Sequence, residues 1–147
     1  MLTNILINLF ERDMGKLEDE ISAYETAEGI WRVPAGIKNS AGNLCLHLCG
    51  NLQHFVGAVL GHNGYVRNRE LEFSAKDVPR EELLQQIGIT RRVLLTVIVG
   101  LTPEDLEKMY PEKVLSGEMS TGHFLVHLST HLNYHLGQIN YHRRLTQ

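Results

Sequence analysis

The sequence predicts an all-α fold: a four-helix bundle with a long crossover between helices two and three. Apolar residues recur at three- and four-residue intervals through four long segments, and the breaks between them are rich in Pro, Gly and Asn. At 147 residues the chain reads as one domain, 1–147, long enough to bury a core that needs neither disulfides nor metal to fold. Any metal it binds would therefore serve function.

Helix one is expected from about residue 2 to about residue 25, where Leu2, Ile5, Leu6, Leu9, Phe10, Leu17, Ile21 and Tyr24 follow the helical repeat. The loop through WRVPAGIKNSAGN ends at Ser40, a favoured N-cap type, which places helix two at about 41–61. GHNGYVRNRELEFSAKDVP is polar and longer than a tight inter-helix turn needs, so it is read as the crossover. Pro79, followed by Glu81 and Glu82, opens helix three, which continues to about Gly100. Its β-branched run, Val93 to Val99, would also suit a buried strand. Thr102-Pro103-Glu104-Asp105 has the form of a cap opening one short turn, and helix four is expected from Ser120 or Thr121 to about Leu145.

Lys plus Arg number 14 against 17 Asp plus Glu, a formal charge of -3, which argues against a broad nucleic-acid footprint. No apolar run is long enough to span a bilayer. The N-terminus lacks a basic leader with a small-residue cleavage site, and Cys45 and Cys49 suit reduced thiols inside a helix. The expected compartment is the cytoplasm.

The chemistry concentrates in HFLVHLSTHLNYHLGQINYHRR. His123, His127, His131 and His135 stand four residues apart, so a helix carries them as one stripe. On a helical wheel the arc of Leu125, Leu128, Leu132, Leu136 and Ile139 lies nearest His135 and His131, with His123 the wettest. In helix two His47 and Asn51 border the core in the same way. A His-x-x-x-His step brings two imidazoles to one ion, and a third from another helix leaves a coordination position for water or substrate. The predicted ligands are His47, His131 and His135, with His127 and His54 as alternates.

Asn51 and Gln138 would either orient imidazoles or a bound water, or bond to backbone. His54, His62, His123 and His142 taken singly read as ordinary hydrogen-bonded residues at the core edge. Gly50, Gly57 and Gly137 interrupt helices, which points to close helix approach within the bundle or across a dimer. Cys45 and Cys49 point away from His47 and read as packing residues, and Trp31 as closing the bundle end. No residue stands out as a general base, because the histidine pair lacks the Glu of His-Glu-x-x-His.

NSAGNLCLHLCGNLQHF and STHLNYHLGQINYHRR resemble helices two and four of the DinB-like, or YfiT-like, superfamily of metal-binding four-helix bundles. That family is unrelated to the DNA polymerase sharing the name. The resemblance implies an up-down-down-up bundle, a divalent ion (nickel or zinc) on His47, His131 and His135, and a homodimer. Relatives that use low-molecular-weight thiols imply a thiol S-transferase acting on a small molecule, and the same open site would suit a hydrolase. The contrasting expectation is a noncatalytic metal- or ligand-binding dimer connected with stress.

Overall fold

Helical periodicity is realised over most of the chain. The computed structural model describes residues 1–147 and contains six α-helices and no strand: α1 (Leu2–Ala23), α2 (Ala41–Leu52), α3 (Arg69–Ser74), α4 (Arg80–Val99), α5 (Pro103–Glu107) and α6 (Thr121–Thr146). A 3-10 turn spans Glu28–Trp31, and a π-helix, Gln53–Leu60, continues α2. No helix is long and apolar enough to cross a membrane.

Local chemistry sets the helix starts. Ser40 accepts a hydrogen bond from the Asn43 amide ahead of α2, and Ser120 does the same for the His123 amide ahead of α6. At α5, Thr102 and Asp105 form a reciprocal capping box with Pro103 just inside. Val93 to Val99 is helical, because Leu83, Ile87, Leu94 and Ile98 place one buried face at helical spacing.

α1 packs against α4 and α6, and α2 packs against the same two helices. Leu6, Phe10, Leu48, Leu52, Ile87, Leu132 and Ile139 are all 0% exposed and belong to one continuous apolar core. Each such side chain contributes roughly 1.5–3 kcal/mol by leaving water. Polar ties fix α1 on α6: Asp13 accepts from Asn133 Nδ2 at 3.1 Å, and Glu20 accepts from Asn140 and Arg143.

Four expectations change. α1 stops at Ala23, since Tyr24 leaves the helix to bury its ring and reach His142 Nδ1 with its hydroxyl at 2.7 Å. Helix two is α-helical only to Leu52. Beyond it, Gly57 and Gly61 sit one turn apart against Val93 and Val97 of α4, where an added Cβ would lie 2.9 and 2.6 Å from a valine methyl. The crossover carries α3, capped by Asn68. The close approach at Gly50 is to Glu72 of α3 rather than to a bundle helix, and Gly137 has nothing within 4 Å of an added Cβ. Trp31 packs on Gly42 at the start of α2, in keeping with a cap on the bundle end.

Candidate metal centre

His47 is 7% exposed and belongs to the second turn of α2. Its Nδ1 lies 3.1 Å from Glu72 Oε1, and a carboxylate only accepts, so Nδ1 carries the proton and donates. The Nε2 lone pair is thereby presented to α6, where His131 Nε2 stands 3.3 Å away. One turn on, His135 donates from Nδ1 to Gln138 Oε1 at 2.7 Å, which leaves its Nε2 as a donor atom for an ion. The ring centroids of His47 and His135 are 5.3 Å apart, and those of His131 and His135 4.6 Å.

Glu72 is held as firmly as it holds. Burial works against its ionisation, but hydrogen bonds from Arg67 and then His47 outweigh that and keep its carboxyl below the usual range. Arg67 reaches both carboxylate oxygens at 2.8 Å. Asn43 fastens the short helix itself, donating from Nδ2 to the carbonyls of Glu72 and Ala75 at 3.0 and 2.8 Å. Gly50 leaves room for the carboxylate, since an added Cβ would lie 2.0 Å from Glu72 Oε2.

The donor atoms of His47, His131 and His135 lie within 4.8 Å of one another, a grouping that could hold a metal ion. Two nitrogens bound to one tetrahedral ion at about 2.0–2.1 Å stand roughly 3.3 Å apart, which is the His47–His131 separation. The third nitrogen lies within 4.8 Å of the other two, so a ring shift on the order of 1.5 Å brings it to the same separation. Protonation offers little competition. Burial, followed by the neighbouring His135 and His47, pushes His131 down to about 4, and burial also lowers His135. Neutral imidazole is the ligating form. His131 Nδ1 is buried without a hydrogen-bond partner, so the protein alone does not satisfy this ring.

A cavity of about 500 Å³ opens beside the cluster, bordered by His47, His131, Asn51, His54, His127 and Arg67. His54 and His127 therefore face the same hollow without joining the cluster. His54 Nε2 is 3.4 Å from Glu112 Oε2, and His127 stacks on Phe124. His123 and His62 are exposed. His142 is buried between the Tyr24 hydroxyl and the Arg32 carbonyl, a hydrogen-bonded core residue. Gln138 bonds to the His135 ring rather than to backbone. Asn51 makes no protein hydrogen bond from its buried Oδ1. Cys45 and Cys49 are buried, free and outside the cluster.

Glu72, Arg67 and Asn43 were not expected at this site. Two signals for them exist in the sequence: Gly50 three residues after His47, which implies that something presses on α2 there, and Asn68 before Arg69-Glu70-Leu71-Glu72, a helix start inside the crossover.

The fold and site define an all-helical protein in which three imidazoles from two helices, backed by a buried carboxylate, form a grouping that could hold a metal ion. The chain matches the DinB superfamily over residues 9–139 and is a member of it. No curated protein matches the chain.

Proposed function

We propose that this protein is a divalent-metal-dependent enzyme acting on a small molecule, of thiol S-transferase or hydrolase type, with His47, His131 and His135 as ligands. The observation that carries the reading is the pair of facing Nε2 atoms 3.3 Å apart, with the Nδ1 proton of His47 held by Glu72. A bound cation of this kind favours thiolate over thiol and acidifies water. The chain's own contribution is orientation: Glu72 and Gln138 hold the Nδ1 protons of His47 and His135, while the cavity of about 500 Å³ beside them leaves room for a reactant. Nickel and zinc both suit imidazole donors.

We extend the proposal to topology, assembly and setting. The packing of α1 and α2 each on α4 and α6 supports an up-down-down-up bundle. Val126, Tyr134 and Tyr141 are 42%, 65% and 64% exposed on α6, flanking the open Gly137, and they support a homodimer. The free, buried thiols support a cytoplasmic setting, and the charge of -3 supports a small-molecule partner rather than nucleic acid.

The test is a screen of the metal-loaded protein against electrophiles with several thiols, alongside model esters and amides. Turnover abolished by chelation and by His131→Ala is expected. Inactivity throughout, with metal content intact, would shift the reading to a noncatalytic metal-binding protein.

A further inference from the structure

The cleft beside the histidines has two features that metal binding leaves unused. Asn51 is 8% exposed, and its Oδ1 has no hydrogen-bond partner although the residue lines the cavity next to His47 and His131. A buried acceptor without a partner is costly, so its retention points to a donor that arrives with a ligand.

The second feature is charge. Arg67, Arg69 and Lys113 line the cavity, and Glu112 is the one carboxylate on its wall. Arg67 is committed to Glu72, and Glu112 lies beside His54. Arg69 has no carboxylate partner. Its guanidinium lies over the Phe73 ring at 5.3 Å, and that ring packs against His47 at 4.9 Å between centroids. A single phenyl ring thus separates an uncompensated cation from His47, in a chain whose formal charge is -3.

We propose that this cleft receives a small organic acid. Its carboxylate pairs with Arg69, with Lys113 at the rim, and an N–H or O–H of the same molecule donates to Asn51 Oδ1. Its reacting atom is directed toward His47, His131 and His135, and this last contact alone rests on the metal-dependent reading above. The cavity volume of about 500 Å³ falls within the range of about 300–1,000 Å³ usual for small-molecule sites. A cationic molecule of the same length would set its charge against Arg69, so selection between them is electrostatic.

The test is calorimetric titration of the metal-loaded protein with 3-mercaptopropionate and with cysteamine, which share a thiol and a two-carbon spacer but end in opposite charges. The acid is expected to bind at least about tenfold more tightly, as a charge-assisted hydrogen bond implies. That preference should shrink with added salt and fall to within about twofold in Arg69→Met. Equal affinities in the wild type, or a preference intact in Arg69→Met, would overturn the proposal. Asn51→Leu should raise the melting temperature of the free protein, by removing an unsatisfied acceptor, while weakening 2-hydroxy-3-mercaptopropionate, whose hydroxyl supplies the O–H, and leaving 3-mercaptopropionate, which has no such donor, unchanged. A lower melting temperature, or an affinity for the hydroxy acid unchanged in the variant, would remove Asn51 from the role. Should the protein take up no metal, the enzyme reading fails by itself. Propionate against propylamine on the metal-free chain then reads the Arg69 pocket alone: preference for the acid is still expected, and its absence would overturn the proposal.

Discussion

Gly50 and Glu72 decide the geometry of the site at the scale of single residues. Alanine favours a helix interior over glycine by about 1 kcal/mol, so Gly50→Ala would stabilise α2 if nothing else intervened. Here the new methyl meets Glu72 Oε2 at 2.0 Å and must displace a buried carboxylate from His47 and Arg67. A net loss of about 1–3 kcal/mol in chemical denaturation is expected, whereas a gain would show that Glu72 does not occupy this place. Glu72→Gln removes the charge behind His47, and metal affinity measured by competition with a chelator should fall about 10–100-fold. His131 supplies a pH signature. Its native value near 4 lies below the unfolded value of about 6.5, so on acidification the unfolded chain takes the proton first. Stability of the metal-free protein should hold above about pH 6.5, then drop by on the order of 1–2 kcal/mol toward pH 4, discounted for the ring's part exposure. A His131→Gln variant should lose that slope in pH-dependent melting. The three histidines were legible because their spacing repeats the helix period beside an apolar arc. Glu72 was not, because a carboxylate in a polar stretch resembles any solvated one until the chain folds it against α2.

α3 is the element that makes the site more than a pair of facing helices. It is six residues long, too short to persist alone, and it is held by Asn43 through two backbone carbonyls and by the Arg67–Glu72 pair. Asn43→Ala should cost about 1–2 kcal/mol, since one buried and one half-buried carbonyl lose a donor. Amide exchange in Arg69–Ser74 should accelerate while α4 stays protected; uniform protection across both would refute the anchoring role. The long helices were legible from periodicity and their starts from Ser40, Thr102 and Ser120. The π-helix was not, because Gln53–Leu60 is apolar on too many sides for a one-residue change of register to leave a trace. Its consequence, glycines at 57 and 61 seated on Val93 and Val97, explains both the glycines and the β-branched run that had also suited a strand.

For the whole molecule, the all-helical class followed from the sequence, as did the superfamily, because the motif-bearing segments of α2 and α6 lie within the matched span. Assembly was less legible, since exposed tyrosines and an open glycine show a bare face without showing what covers it. Tyr141→Glu places a charge on that face, and light scattering should show a dimeric wild type and a monomeric variant; a monomeric wild type would end the dimer proposal. The central claim is that His47, His131 and His135 share one cation, and metal titration of the stripped protein tests it most directly. One equivalent of nickel or zinc per chain is expected, lost in His47→Ala, His131→Ala and His135→Ala and retained in His54→Ala and His127→Ala. Full binding by the first three variants, or loss in His127→Ala with the others intact, would contradict it.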